Sequence, residues 1–283
     1  MEHFSKLTYR VSEGWGQLPE GWTFKQVAGV AIDSQDRVYV FNRSPHPVIV
    51  LDREGRFLTS WREGLFKTPH GISIGPDDSI YLVDAGNHTV KKFTPEGELL
   101  QTLGAEDRPG EEGQPFNKPT DVALSPSGEI YVSDGYGNSR LHRFSPNGKL
   151  FLSWGTPGDG PGQFNLPHSV WVDRHGRIYV ADRENNRIQL FTSQGEFLTQ
   201  WTDFLRPTDI FIDAEEKVYV AELQHRVSIL NLEGELLARL GGGKSHAPGE
   251  FVAPHAVWTD SRGDLYVGEV LEGQRIQKFI RMT

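Results

Sequence analysis

The sequence contains no cysteine, no run of basic residues and no long apolar stretch. Its 283 residues include 29 Lys and Arg against 38 Asp and Glu, a formal net charge of −9. Without cysteine the chain has no disulfide, no thiolate metal ligand and no cysteine nucleophile. Without a basic patch it lacks the electrostatic footprint of a nucleic-acid binder. Without a run of about 18 apolar residues it has no predicted transmembrane helix.

The N-terminal stretch MEHFSKLTYRVSEG lacks the basic and then apolar segments of a secretory signal. We therefore expect a soluble, cytoplasmic protein without a membrane or nucleic-acid partner, and export is the alternative if a leader precedes this sequence. The length suits one large closed β architecture, so residues 1–283 are predicted to form a single domain. A monomer is the expected state.

Six segments of the chain resemble one another, and their starts lie 40 to 50 residues apart. Each has a short strand of alternating apolar residues, a polar turn and an I/V/L-Y-V/L strand. In the first five, a further run is divided in two by a turn such as PEG, PNG or SQG. Four antiparallel strands at this period predict a β-propeller blade, so the fold predicted is an all-β, six-bladed β-propeller. The segments are GVAIDSQDRVYVFN, GISIGPDDSIYLVD, DVALSPSGEIYVSD, SVWVDRHGRIYVAD, DIFIDAEEKVYVAE and AVWTDSRGDLYVGE.

The two ends of the chain complement each other. The sixth repeat stops after three strands, at IQKFIRMT, while LTYRVSEGWGQLPEGW precedes the first repeat and resembles a final strand. We predict that this N-terminal strand completes blade six. Such closure removes the open sheet edges that invite aggregation.

The residue just before the first strand of each repeat alternates between histidine and a small side chain. The first strands of a six-bladed propeller line its central channel, so three histidines on alternate blades would converge on the axis. Imidazole nitrogens in such a set suit zinc with an open coordination position, although another divalent ion that binds imidazole is an alternative. In blade order the residues are Ala28, His70, Thr120, His168, Thr208 and His255.

A histidine at a strand entry is often structural, bonded to its own blade, and this is the alternative for each one taken singly. Three at one repeat position, in strict alternation, favour a metal site, because packing alone would favour the same residue in all six blades. The remaining histidines follow no such pattern and are expected at the surface or in turns. They include His46, His88, His142, His175 and His225.

A second repeat position carries arginine on blades one and four, which face each other across the axis. Arg43 and Arg183 follow the polar ends of the second strands. Two guanidinium groups beside a metal indicate a substrate with a carboxylate. The alternative for Arg183 is an ion pair with Asp182 or Glu184. One residue beyond this position in blade three lies Tyr136, either a candidate general base or a loop tyrosine that stacks on its neighbours.

The motifs GNHTVKKF, GNSRLHRF and ENNRIQLF resemble the NHL-repeat family of propellers. This family includes scaffolds that bind protein or RNA as well as enzymes, so the resemblance implies a fold and leaves the function open.

Four longer stretches are similar to the peptidyl-α-hydroxyglycine lyases, the lyase half of the peptidylglycine α-amidating enzyme. The resemblance runs from about residue 24 to the C-terminus and implies a six-bladed propeller. It assigns His70, His168 and His255 as zinc ligands, Arg43 and Arg183 as substrate arginines, and Tyr136 as catalytic base. The stretches are TPHGISI, FNKPTDVALSPSGEIYVSDGYGNSR, PGQFNLPHSVWV and ADRENNRIQLF.

The chain departs from that family at two places. VAPHAVW puts Ala253 and Ala256 where the family has methionine and an aspartate that helps to hold a structural calcium. The resemblance therefore does not extend to calcium unless Asp121 or Asp209 substitutes. The cysteines that clamp the tyrosine loop in the animal enzyme are replaced by Asn117 and Gly137, so we expect Tyr136 to be held less rigidly.

The function predicted is a metal-dependent lyase that cleaves the C–N bond of a peptidyl-α-hydroxyglycine or a related α-hydroxylated amide. The products would be an amide and glyoxylate or a similar α-keto acid, and the substrate would be a peptide or small molecule with a carboxylate. One alternative is a non-catalytic NHL scaffold that binds a protein. The other is a metal-dependent propeller hydrolase such as a lactonase, which usually relies on carboxylate and amide ligands instead of three histidines.

Overall fold

The computed structural model describes residues 7–110 and 114–282, and these form six four-stranded antiparallel sheets arranged as blades. The predicted fold class is confirmed. In blades one to three the strands are β2 (Val27–Ile32), β3 (Val38–Asn42), β4 (Val48–Leu51) and β5 (Phe57–Trp61); β6 (Pro69–Ile74), β7 (Ile80–Asp84), β8 (Thr89–Phe93) and β9 (Leu99–Gly104); and β10 (Asp121–Leu124), β11 (Ile130–Asp134), β12 (Arg140–Phe144) and β13 (Leu150–Trp154).

Blades four to six repeat the design. A short parallel pair, β14 (Thr156–Pro157) and β15 (Gln163–Phe164), links blades three and four, and a single 3₁₀ turn covers Arg183–Asn185. The strands of these blades are β16 (Pro167–Val172), β17 (Ile178–Asp182), β18 (Arg187–Phe191) and β19 (Phe197–Trp201); β20 (Pro207–Ile212), β21 (Val218–Glu222), β22 (Arg226–Leu230) and β23 (Leu236–Gly241); and β24 (Pro254–Thr259), β25 (Leu265–Glu269) and β26 (Arg275–Met282).

The N-terminal strand completes blade six, as predicted. Strand β1 (Thr8–Ser12) runs antiparallel to β26, with Thr8 opposite Met282 and Ser12 opposite Lys278. The first strands of the six blades are neighbours in a closed ring. The closure gives blade six its fourth strand, and it joins the two ends of the chain through one sheet.

The buried fraction of the side chains decreases from the inner strands of each blade to the outer one. The first three strands of each blade are almost wholly buried between neighbouring blades, whereas fourth strands such as β9 and β19 are largely exposed. The repeated I/V/L-Y-V/L strand places a buried tyrosine in every blade. In blades one, four, five and six its hydroxyl donates to the aspartate of the preceding turn, for example from Tyr266 to Asp260 at 2.9 Å. In these four blades the tyrosine hydroxyl therefore anchors the turn to the core, and the hydrogen bond contributes about 1 kcal/mol to stability.

A β-bulge lies at the channel position of five first strands. The pairing register shifts between Pro167 and Ser169, and between Pro254 and Ala256, so that His168 and His255 are the extra residues. A bulge bends the strand and re-aims its side chain. The repeat position found in the sequence is therefore the point at which the backbone turns a side chain into the channel. No helix in the described part of the chain is long and apolar enough to span a bilayer.

Candidate metal centre

The three predicted histidines meet at the centre of the ring. His70, His168 and His255 are 1%, 1% and 5% exposed, and each offers a nitrogen within 4.8 Å of the others. Their ring centroids are 4.8 to 4.9 Å apart. The predicted convergence of alternate blades is therefore observed in the geometry.

Each histidine is oriented by a backbone carbonyl of the next blade. The Nδ1 atoms of His70, His168 and His255 lie 2.6, 2.7 and 2.8 Å from the carbonyl oxygens of Thr120, Thr208 and Ala28. Because a carbonyl only accepts, Nδ1 carries the proton and donates. Nε2 is then left with a lone pair for a ligand, the tautomer found in metal-binding imidazoles with a backbone partner.

The Nδ1 acceptors are the three small residues of the repeat position, so they have a role that the sequence did not suggest. Thr120 and Thr208 also donate their hydroxyls, at 2.9 and 3.0 Å, to the carbonyls of Pro167 and Pro254, which precede the next histidines. Ala28 has no hydroxyl, and in blade one the Nε of Arg43 donates instead to the carbonyl before His70, at 3.1 Å. These bonds link the blades into one continuous circuit.

Burial holds all three imidazoles neutral. It is the largest cause that lowers the pKa of each, to about 3 for His255 and well below the usual value for His70 and His168. The next cause for His70 and for His168 is the neighbouring His255, and the positive charge of Arg183 adds to the effect in all three. Neutral imidazoles are the form that binds metals, so the site needs no deprotonation before it takes a cation. Three such nitrogens with orienting carbonyls fit a divalent metal of the zinc type.

Tyr136 reaches the histidines from the loop after β11. Its hydroxyl lies 2.9 Å from Nε2 of His70 and 3.2 Å from Nε2 of His168, and the side chain is 40% exposed. The guanidinium of Arg183 lies 5.8 Å from the centre of its ring. The phenol oxygen therefore occupies the convergence point of the ligand nitrogens, while the rest of the side chain faces the channel mouth.

The tyrosine loop is held at Asn117 and Gly137, the two positions that replace the clamping cysteines implied by the resemblance. The Asn117 amide donates to the carbonyl of Gly137 at 3.4 Å, and a Cβ at Gly137 would lie only 2.3 Å from the Asn117 side chain. Buried Asp134 accepts from the backbone N–H of Asn117 at 3.0 Å and from the amide of Asn138 at 2.8 Å. Hydrogen bonds and close packing thus hold both sides of Tyr136.

The two arginines lie at this mouth but differ in their partners. Arg43 donates through Nη1 to the side-chain oxygen of Gln26 at 2.7 Å, and no carboxylate within the described residues pairs with it. Arg183 donates through Nε to Glu184 at 2.9 Å, and Glu184 also accepts from Arg206 at 2.6 Å. Of the two open alternatives for Arg183, the pair with Glu184 is therefore present, while its guanidinium carbon lies 5.8 Å from the centre of the Tyr136 ring.

A layer of acidic side chains lies one residue further along the channel. Asp121 and Asp209 share the hydroxyl of Ser169, which lies 2.7 Å from one carboxylate and 3.1 Å from the other. Burial raises the pKa of Asp121 to about 7. Burial, followed by the charge of Asp121, raises the pKa of Asp209 well above its usual value. Two carboxylates that share one hydroxyl can share a proton or hold a cation, so Asp121 and Asp209 are the residues on which a calcium at this layer would depend.

The expectation for His142 was wrong. It lies on β12, fully buried, with Nε2 3.2 Å from Asp134 and Nδ1 2.7 Å from the hydroxyl of Ser153. Third strands are covered by neighbouring blades on both faces, so a polar residue there must find partners inside the sheet. By contrast, His88 and His225 lie in turns with positive φ, as expected.

An open cleft adjoins Tyr136 between blades three and four. Its volume is about 670 Å³, and its lining includes Asn138, Arg140, Asn165 and Leu166. This cleft was not foreseen, because its walls come from loops of two different repeats. It provides space for a substrate larger than the group that would contact the histidines.

Comparison with known sequences supports the NHL assignment. The family description "NHL repeat" matches residues 66–93, 116–144 and 164–191, which lie in blades two, three and four. The fold and its repeats thus define an NHL-repeat propeller. Human NHL repeat-containing protein 3 is 32% identical to the chain, over 98% of this chain and 86% of that protein. The chain therefore belongs to the NHL-repeat family.

Two further relatives have names that state a reaction. The mouse peptidyl-glycine alpha-amidating monooxygenase is 39% identical over 62% of this chain, which spans only 21% of that protein. Peptidyl-alpha-hydroxyglycine alpha-amidating lyase 1 of Drosophila melanogaster is 29% identical over 98% of this chain and 55% of that protein. Homologues named as amidating lyases thus agree with the resemblance found in the sequence.

Proposed function

We propose that the chain is a lyase that cleaves the C–N bond of a peptidyl-α-hydroxyglycine or a related α-hydroxylated amide. The proposal is supported chiefly by one observation: the hydroxyl of Tyr136 lies within 3.2 Å of two histidine Nε2 atoms at the convergence of three blades. A polar, ionisable group at a ligand cluster is what a proton transfer at a bound hydroxyl requires. The name of the fly relative states the same reaction class.

His70, His168 and His255 would hold a divalent metal, which we propose to be zinc. When bound, such an ion supplies Lewis-acid polarisation of a substrate oxygen. The protein contributes a fixed Nδ1-protonated tautomer and neutral rings, so the three Nε2 lone pairs are available at every ordinary pH.

Tyr136 would take the proton of the substrate hydroxyl. The oxygen lone pair then forms the carbonyl of glyoxylate as the C–N bond breaks, and the leaving amide nitrogen receives the proton. The reaction thus moves one proton from oxygen to nitrogen and needs no oxidant. Arg183, 5.8 Å from the ring centre, would offset the negative charge that the phenol carries as a base.

Arg43 and Arg183 would bind the substrate carboxylate from opposite sides. A carboxylate placed between two guanidinium groups is fixed in orientation, which brings the hydroxyl to Tyr136 and the histidines. The cleft beside Tyr136, lined by Asn138 and Asn165, would hold the peptide part.

Turnover of N-benzoyl-α-hydroxyglycine tests the proposal, with benzamide and glyoxylate measured separately. The wild type should release both in equal amounts, and Tyr136→Phe should lose at least about a hundredfold in kcat while it keeps its metal. Tyr9→Phe, which removes a hydroxyl on blade six, is the matched control and should leave kcat unchanged. Wild-type protein with bound metal that releases no glyoxylate would refute the proposed reaction.

A further inference from the structure

The channel opens at its other end into a cavity that the proposed reaction does not use. The first strands run from the histidines to this end, and the five residues from His168 to Val172 span roughly 13 Å. The cavity has a volume of about 510 Å³ and shares no lining residue with the small space around the histidines. Ligand-binding cavities in proteins have volumes of about 300 to 1,000 Å³.

One wall of this cavity is aromatic, and the opposite wall is made of smaller side chains. Trp171, Phe211 and Trp258 occupy the same position in blades four, five and six, opposite the tyrosine that recurs in the second strand of each blade. Their ring centroids are 4.5 to 5.3 Å apart, so they form one continuous surface. At that position the first three blades have Ala31, Ser73 and Ala123. The open space therefore lies on the side of blades one to three.

Ser73 provides a polar group with no partner. Its side chain is 2% exposed and lines the cavity, yet its hydroxyl makes no hydrogen bond to any of the described residues. The hydroxyl faces the open space of the cavity, so it is available to a ligand that donates a hydrogen bond there.

The charges on the cavity wall leave one carboxylate uncompensated. Asp173 is paired with Arg177 at 2.7 Å, and Glu216 is paired with Arg174 at 2.6 Å. The third, Asp213, accepts only from a backbone N–H at 2.8 Å and from a tyrosine hydroxyl at 3.0 Å. It has no cationic partner among residues 7–110 and 114–282, so the wall carries a net negative charge.

We propose that this cavity binds a small organic cation, an ammonium group on an apolar or aromatic body. The faces of Trp171, Phe211 and Trp258 attract a positive charge through their electron-rich rings. Asp213, which follows the strand of Phe211 in blade five, supplies the opposite charge. An anion would be repelled by the carboxylate, and a neutral ligand would gain only the apolar contact. The proposal is independent of the reaction at the histidines.

Calorimetric titration with 2-phenylethylamine tests it, with 2-phenylethanol as the neutral probe of matched shape and 3-phenylpropanoate as the anion. The amine should bind saturably, the alcohol at least roughly fivefold more weakly, and the anion not at all. No saturable binding of the amine would overturn the proposal. Equal affinity for amine and alcohol would overturn the assignment of a cation.

Two variants locate the binding. Trp171→Leu should abolish binding of the amine, and Asp213→Asn should weaken it roughly fivefold while leaving the alcohol unchanged. The controls are Trp201→Leu on an outer strand of blade four and Asp52→Asn on an outer turn of blade one, and neither should alter binding. Melting temperatures show whether each variant is folded. If a folded Trp171→Leu binds the amine as the wild type does, the site is elsewhere and the proposal fails.

Discussion

The even-numbered and odd-numbered blades share one design and differ at one position. Blades two, four and six place a histidine at the repeat position at the start of the first strand, and blades one, three and five place Ala28, Thr120 or Thr208 at that position. The small residues are as much a part of the site as the histidines, because their carbonyls accept the Nδ1 protons. A cluster of three histidines is thus produced from a sixfold repeat.

Blade one differs from the other odd blades in a further respect. Thr120 and Thr208 hold the following histidine strand through a hydroxyl, whereas in blade one Arg43 donates to the carbonyl of Pro69. Arg43 therefore anchors the strand of His70. Under the proposed function, its positive charge would also bind the substrate carboxylate.

The largest effect is expected for Arg43→Ala, which should lower kcat/KM for the α-hydroxyglycine amide about a hundredfold, since a hydrogen-bonded charge is lost. Arg183→Ala should lower kcat/KM by a smaller factor, because the charge of Arg183 is partly compensated by Glu184. Steady-state kinetics measure both. The double variant Arg43→Ala/Ala28→Thr supplies a hydroxyl for Pro69 and separates the two roles: full recovery of kcat/KM would show that Arg43 serves only as an anchor.

The acidic layer predicts how stability depends on pH. Burial raises the pKa of Asp121 to about 7, so the folded protein keeps a proton that the unfolded chain releases above a pH of about 4. The resulting contribution to stability is complete at low pH and is lost as the pH rises from about 4 to about 7. Asp121→Asn removes this loss.

Urea unfolding at pH 5 and pH 8, with a chelator present, measures this dependence. From pH 5 to pH 8 the free energy of unfolding should fall further in the wild type than in Asp121→Asn. Asp78→Asn, in an exposed turn of blade two, is the control and should behave as the wild type. If wild type and Asp121→Asn show the same change between the two pH values, Asp121 does not carry the proton.

The smallest effect is expected for Thr208→Ala, which tests the odd blades directly. The carbonyl that accepts from His168 remains, so metal content should be unchanged. The lost hydroxyl bonds to Ala221 and Pro254 should lower the free energy of unfolding by about 1 kcal/mol. Elemental analysis and urea unfolding measure the two quantities. Loss of metal in this variant would mean that the side chain, and not the backbone, orients the site.

The fold could be read from the sequence because every blade repeats the same local pattern. The tyrosine in each second strand and the turn before it recur at a constant spacing, and the incomplete sixth repeat identified β1 as its fourth strand. The histidine cluster was also predictable, since equivalent positions on alternate blades of a ring must converge. In a ring of equivalent blades, a position within the repeat therefore predicts a location in the structure.

Other features could not be predicted, for physical reasons. The carbonyls that orient the histidines belong to the backbone, so residue identity carries no sign of them. His142 sits on a buried third strand, where its partners Asp134 and Ser153 come from neighbouring strands. Trp171 and Trp258 recur at one repeat position of the sequence. Whether these side chains line a cavity depends on which side of the strand faces the axis.

The most direct test is the metal content of the protein purified without added metal. Elemental analysis should find close to one zinc per chain in the wild type and in His175→Ala, an exposed histidine on the same blade. It should find almost none in His168→Ala, which removes one of three ligands. Metal absent from the wild type, or retained in full by His168→Ala, would contradict the claim that alternate blades build a metal centre.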